Sequence, residues 1–216
     1  QYDDALATSD AVAAEHRQWA ERHADRLPHV ARRPRTRPPG RMRIGYLSPR
    51  FGPGPLATLF LPVLERHDRS AFEIVLYSAH LHEGAMNARY RAAADAWRDL
   101  PRDDASAAAT IADDDLDLLV DLAGHAPGNR LPVLARRPAP VQATWLDYFA
   151  TTGMEGIDYF VSAAVATPAS QAPRFRERLV LLPCRFAYRP LDSAASSPPP
   201  ALARGHVTYG SFNRHA

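Results

Sequence analysis

The sequence predicts an α/β domain, a doubly wound and mostly parallel sheet preceded by one helix. Three observations lead there. Between residues 43 and 183, short apolar runs alternate with Ala- and Arg-rich stretches of helical character, the pattern of strand–helix–strand units. The run DLLVDL at 117–122 is apolar on consecutive positions, as a strand covered on both faces requires. Polar and Gly/Pro-rich segments follow several strands, and in open α/β sheets ligands sit beyond the carboxyl ends of the strands.

The elements follow in order. Residues 9–26 read as a helix: Ser9 or Asp10 can cap it, and Val12, His16, Trp19 and His23 recur at spacings of four, three and four. Residues 28–41 are Pro- and Arg-rich and read as a linker. A strand at 43–48 follows, then a helix at 55–67 with Pro55 in its first turn, where a missing N–H costs nothing. A strand at 72–78, a helix at 84–95, a short strand at 96–100 and a helix at 103–113 come next. The buried strand at 117–122 leads through a short helix near 128–136 to a strand at 141–146. Two more strands are expected at 158–162 and 178–183. Residues 190–204 are rich in Pro and Ser and read as a flexible linker, after which 206–213 (HVTYGSFN) read as the first strand of a new unit. No repeat of 20–50 residues is present.

Composition narrows the function classes. The 216 residues suit one good-sized domain, and 46% hydrophobic content suffices for a core. All 26 basic residues are Arg, yet the formal charge is only +2, so net charge gives no reason to expect a polyanion partner. The Arg, Ala and Pro bias resembles a GC-rich genome more than a function. The single cysteine, Cys184, excludes an intrachain disulfide and a multi-cysteine zinc site. It is expected to be inert and partly buried. No run reaches membrane-spanning length and no signal peptide is visible, which fits a reducing, cytoplasmic setting. The first residue is Gln, so the chain is expected to begin inside a longer one.

The densest cluster of polar and aromatic groups lies in residues 124–153, at two neighbouring strand ends. His125 follows the strand ending at Leu122, and can bind a ligand, exchange protons near neutrality or cap the next helix. Asn129 and Arg130 can hold a phosphate or an acidic acceptor, or begin the short helix. Arg137-Pro-Ala-Pro sets backbone geometry, with Arg137 able to pair with a buried carboxylate such as Asp121. Gln142 and Trp145, three apart on a strand, face opposite sides. Tyr148 and the turn at Thr152 and Gly153 can bring backbone N–H groups close to a sugar.

Other motifs are weaker. Gly52-Pro-Gly54-Pro-Leu-Ala57 imitates a dinucleotide fingerprint, but Pro53 and Pro55 lack the N–H donors of a phosphate cradle. The acidic run at 113–117 reads as a polar helix-to-strand turn rather than a metal site, with the helix ending before Asp113. His80 and His82 read as one face of an exposed loop.

Taken jointly, these residues resemble the catalytic region of the protein O-GlcNAc transferase and Spindly-type glycosyltransferases, over nearly the whole chain. Tyr2-Asp3 with Glu15-His16 and Trp19 are similar to the helix after the TPR array of bacterial members. Ile44-Gly-Tyr-Leu-Ser-Pro49 and Phe51-Gly52 resemble the first strand and loop. Arg137-Pro-Ala-Pro-Val-Gln142 with Trp145, Tyr148 and Thr152-Gly153 is the most specific block. Asp158-Tyr159 and Thr167-Pro168 follow in register, and Tyr209-Gly-Ser-Phe-Asn213 resembles the first strand of a second lobe.

The resemblance implies a GT-B architecture of two Rossmann-like lobes. It divides the chain into the helix at 1–27 after a TPR region, the linker at 28–41, the first catalytic lobe at 42–190, a linker at 191–204 and the opening strand of a second lobe at 205–216. It implies an inverting, metal-independent enzyme without a cofactor, which moves a sugar from a nucleotide donor to Ser or Thr hydroxyls of proteins. The donor is UDP-GlcNAc, or GDP-fucose in the Spindly branch, bound mainly by the second lobe. His125, Asn129, Arg130, Tyr148, Thr152 and Gly153 are then the candidates for contacting sugar or acceptor. Five positions depart from the family pattern: Arg50 and Gly54 stand where the family carries Asp and a proposed active-site His, Asp147 and Phe149 replace the Gly and Pro of Leu-Gly-Tyr-Pro, and Ala163 replaces an Asp. A lobe so altered could instead serve as a non-catalytic protein-binding module.

Overall fold

The computed structural model describes residues 8–32, 40–80, 83–187 and 197–210. Seven strands form one sheet, parallel throughout: β1 (Met42–Ser48), β2 (Phe72–Ser78), β3 (Ala96–Asp99), β4 (Leu118–Asp121), β5 (Val141–Trp145), β6 (Tyr159–Ala163) and β7 (Arg178–Leu182). Their order across the sheet is β3-β2-β1-β4-β5-β6-β7. The chain winds outward from β1 to β3, returns to the middle for β4, and winds outward again. The direction therefore reverses between β1 and β4, where a doubly wound sheet opens its ligand crevice.

Helices cover both faces: α1 (Ser9–His23), α2 (Pro55–Leu59), α3 (Leu61–Leu64), α4 (Ala85–Ala92), α5 (Asp104–Asp113) and α6 (Leu131–Ala135), with α7 (Pro200–Arg204) further along the chain. The period-2 alternation of the strands divides the core in two. Leu47, Val75, Tyr77 and Leu119 pack on one face with Ala20 and Ala24 of α1, Ala107, Ala108 and Ile111 of α5, and Val133 and Leu134 of α6. Ile44, Tyr46, Ile74, Leu76 and Val120 pack on the other with Leu56, Phe60, Leu61, Leu64 and Tyr90. Adjacent residues of one strand thus enter different cores, the physical reason that RIGYLS and DLLVDL read as continuous apolar runs. Gln142 and Trp145 divide in the expected way. Gln142 is fully buried and donates to the carbonyls of Leu134 (2.8 Å) and Gly156 (2.5 Å), whereas Trp145 packs with the second core beside Phe60.

Several local expectations change. The helix expected at 55–67 is broken into α2 and α3 around Phe60, with Pro62 in the opening turn of the second piece. Helix α1 stops at His23, and α5 continues through Asp113 instead of ending before it. The acidic run beyond it ties strands together: the Asp117 carboxylate accepts from the Arg43 N–H at 2.8 Å. Arg137 does not reach Asp121. It adopts a φ of 51° and binds both carboxylate oxygens of Asp158 at 3.1 Å, together with the carbonyls of Gly156 and Pro140. Cys184 is exposed, not partly buried. Within the segment read as a flexible linker, residues 200–204 form the one-turn helix α7, and residues 207–210 beyond it have no strand pairing. The expectations for residues 1–7, 33–39, His82, 188–196 and 211–216 lie outside the described residues.

Candidate functional site

The carboxyl edge of the sheet gathers the loops after β1, β4 and β5, and two arrangements of polar groups stand there.

The first is a closed knot between α1 and the β4 and β5 loops. His16 and His125 stack with ring centroids 4.1 Å apart and planes 16° from parallel, and Trp19 meets His125 edge-on at 5.0 Å. A carbonyl can only accept, so His16 Nδ1–H donates to Thr151 O (2.9 Å) and His125 Nε2–H donates to Thr152 O (2.9 Å). His16 Nε2 is left as an acceptor, and the Tyr148 hydroxyl donates to it at 3.0 Å. Both rings are held neutral: burial, with the neighbouring His125 adding to it, pulls His16 down to about 4, and burial lowers His125 against its bond to Thr152.

Glu177, at the foot of β7, completes the knot. Its carboxylate accepts from the Thr151 hydroxyl (2.6 Å), the Thr152 N–H (2.7 Å) and the Thr152 hydroxyl (2.5 Å). Gly153 turns the chain with a φ of 74°, and a Cβ there would lie 2.5 Å from the His16 carbonyl carbon and 2.7 Å from the Arg17 nitrogen. Only glycine satisfies both the dihedral and the space.

The second arrangement straddles the reversal point. Asp121, fully buried at the end of β4, accepts from the N–H groups of Ala123 (3.1 Å) and Gly124 (2.6 Å) and from the Thr144 hydroxyl (2.8 Å), which folds the loop sharply away from the strand. Burial raises its carboxyl above the usual range in spite of these donors. Across this loop Arg50, just after β1, reaches Asp147, just after β5, at 2.7 Å, and its second nitrogen approaches the Pro127 carbonyl at 3.5 Å. Burial pushes the Asp147 carboxyl up, with Arg50 opposing it. Gly54, by contrast, sits in open space at a φ of 140°.

The six predicted residues thus separate. His125, Tyr148, Thr152 and Gly153 come together in the knot, where their polar groups bind α1, Glu177 and each other. Asn129 and Arg130 do not join them. Asn129 accepts from Leu131 N–H (3.2 Å) and donates to the Ala126 carbonyl (3.0 Å), fastening the start of α6. Arg130 binds Asp104 at 2.7 Å and the carbonyls of Pro101 and Arg102. Sequence reasoning missed Glu177, which lies in the unremarkable run RFRERL. It also left the Arg50–Asp147 pair as two separate departures. A change of one residue to a cation and another to an anion at two crevice loops was the signal available.

A sequence model of glycosyl transferase family 41 matches residues 7–188. The chain belongs to glycosyl transferase family 41. Among curated relatives in this family, it is 35% identical over 217 residues to a protein of Solanum lycopersicum described as a probable UDP-N-acetylglucosamine–peptide N-acetylglucosaminyltransferase, SPINDLY, which covers 97% of this chain and 23% of the relative. It is 34% identical over 149 residues to the UDP-N-acetylglucosamine–peptide N-acetylglucosaminyltransferase of Caenorhabditis elegans, covering 68% of this chain and 13% of that one. A solved structure of a mutant O-GlcNAc transferase from Thermobaculum terrenum superposes with a TM-score of 0.83 at 38% identity, over 91% of this chain and 38% of that one. The family 41 chain described here therefore spans about a quarter of the length of its curated plant relative. No helix among its described residues is long and apolar enough to cross a membrane.

Proposed function

We propose that this chain is the acceptor-side lobe of an inverting protein O-glycosyltransferase that moves GlcNAc from UDP-GlcNAc to Ser or Thr hydroxyls. The observation that carries the reading is the superposition on an O-GlcNAc transferase at 38% identity over 91% of this chain. In this reading the acceptor hydroxyl attacks the anomeric carbon, the bond to the nucleotide diphosphate breaks, and the hydroxyl proton leaves to a base. The diphosphate is stabilised by positive charge and N–H groups of a second lobe. This lobe supplies the rim facing sugar and acceptor, from the loops after β1, β4 and β5. In it His125, Tyr148, Thr152 and Gly153 shape the sugar and acceptor side, with the His125 ring set by the Thr152 carbonyl on Nε2 and by Tyr148 at 5.5 Å, which leaves Nδ1 as its acceptor atom. No cofactor or metal is part of this reading.

One observation favours a second reading. Arg50 and Asp147, two of the positions read as departures from the family pattern, occupy the crevice with each other. A lobe whose crevice is self-paired could bind a protein without transferring sugar. Calorimetry with UDP, UDP-GlcNAc and GDP-fucose separates the readings, on this chain and on one extended past Ala216. Binding by the extended chain alone, with UDP-GlcNAc preferred, is the expected result. Preference for GDP-fucose would move the protein to fucosyl transfer. No nucleotide binding by either chain would leave the protein-binding module.

A further inference from the structure

A recess of about 480 Å³ opens at the carboxyl ends of β2 and β3, lined by Ser78, His80, Asp99, Leu100, Arg102 and Arg130 among others. Its size lies in the range of small-ligand sites. One of its lining residues, His80, lies against Gly128 of the β4 loop. A Cβ on Gly128 would lie 2.9 Å from His80 Nε2 and 3.3 Å from Pro49 Cβ, and its φ is 81°.

The charges lining the recess do not cancel. Arg130 is neutralised by Asp104 at 2.7 Å, and its other bonds, to the Pro101 and Arg102 carbonyls, clamp the segment that carries Arg102. Asp99 is also engaged, accepting from Trp97 Nε1 at 2.8 Å and facing Arg91 at 3.4 Å. The Arg102 guanidinium and the His80 ring have no side-chain partner recorded among the described residues, although Ser78 fixes the His80 backbone by donating to its carbonyl at 2.6 Å. A guanidinium and an imidazole lining one recess, with the carboxylate of Asp99 already engaged, suit an anionic group.

From this we infer that the recess binds a carboxylate side chain of the acceptor polypeptide, a residue or two from the hydroxyl that enters the crevice. The inference rests on the acceptor-lobe reading above and adds a preference for acidic acceptor segments. The nearby alternative of the same chemistry, a free phosphate ion, lacks the chain that would join the recess to the crevice.

The test is an NMR titration of this chain, following the His80 ring and the Arg102 Nε–H. The probes are N-acetyl-Ser-Glu-Glu-amide, its Ser-Gln-Gln counterpart and inorganic phosphate. The acidic peptide is expected to give saturable shifts at both groups and to bind about fivefold more tightly than the Gln peptide. Arg102→Gln is expected to remove about that factor and to flatten the salt dependence. Arg102 is exposed, so the unfolding midpoint should not move. Equal binding of the two peptides would overturn the inference, as would acidic-peptide binding, followed at the backbone amides of Ser78, Ala79 and Leu100, that keeps its affinity in the Arg102→Gln, His80→Gln double variant. Phosphate binding as tightly as the acidic peptide would replace the acceptor assignment with a small-anion site. The readout needs no sugar transfer, so failure of this chain to bind the acidic peptide, with nucleotide-sugar binding by the extended chain intact, defeats only this inference. The reverse pattern defeats the transferase reading.

Discussion

Two regions of one sheet edge, both built from loops after parallel strands, have opposite characters. On the side of β5, β6 and β7, the knot of His16, His125, Tyr148, Thr151, Thr152 and Glu177 is interlocked with α1, and five of those six side chains are buried. Across the reversal point toward β1, β2 and β3, the Arg50–Asp147 pair is partly solvated, and the recess at the ends of β2 and β3 is lined by Arg102 and His80, whose side chains have no carboxylate partner among the described residues. The difference teaches that polar density is a poor guide to a ligand site. Where each donor has already found an acceptor, polar groups hold the fold together. Where a guanidinium has no carboxylate partner, it can meet an anion from outside.

The sharpest way to break this comparison is Gly153→Val. The new side chain meets α1 backbone and forces a β-branched residue to a φ of 74°. We expect a loss of about 4 kcal/mol or more in urea unfolding, with α1 released from the sheet edge. A change below about 1 kcal/mol would mean that α1 is not held there.

Acidification should act on the same side with somewhat less force. His16 falls to about 4 in the fold from about 6.5 in an open chain. The fold favours neutral His16, so its contribution is complete above about pH 6.5 and is lost as pH falls toward 4. The full loss is about 3 kcal/mol. His125 and His67, lowered by burial too, add in the same direction, whereas the raised carboxyl of Asp121 opposes them. Comparing the pH dependence of unfolding with that of His16→Gln therefore isolates the knot, and the variant should show the shallower slope between pH 4 and 6.5.

Arg50→Ala, on the other side, should cost less than about 1 kcal/mol, because the Arg50 side chain remains 42% exposed. It should also raise the Asp147 carboxyl further, which carbon-detected NMR titration would read directly. A destabilisation as large as that of Gly153→Val would erase the distinction between the two sides.

The fold was legible because its signals are local. Continuous apolar strands and alternating elements announce a sheet covered on both faces, and each of the seven strands lies within one or two residues of its expected bounds. The break at Phe60 was not legible, since a tertiary contact decides it: Phe60 is wholly buried against Phe51, Tyr46 and Tyr90. The candidate site was legible in part. Of the six candidates, the structure brings His125, Tyr148, Thr152 and Gly153 together, and their link to His16 on α1, separated by more than 100 residues, required coordinates. Glu177 gave no warning, because a lone carboxylate in an Arg-rich stretch reads as a solvated surface residue. Its burial follows from the three donors that the turn at 151–153 directs toward it.

The fastening of α1 has a mechanical consequence. Arg174 holds Asp10 near one end of the helix, His16 is pinned at its middle by the stacked ring and the Thr151 carbonyl, and Arg176 holds Asp25 just past the other end. Three anchors along one rod leave it little room to pivot. A torque applied to its amino end would pass with little loss into the turn at 151–153 and from there to the rim of the crevice. The helix and the turn at 151–153 then move as one body.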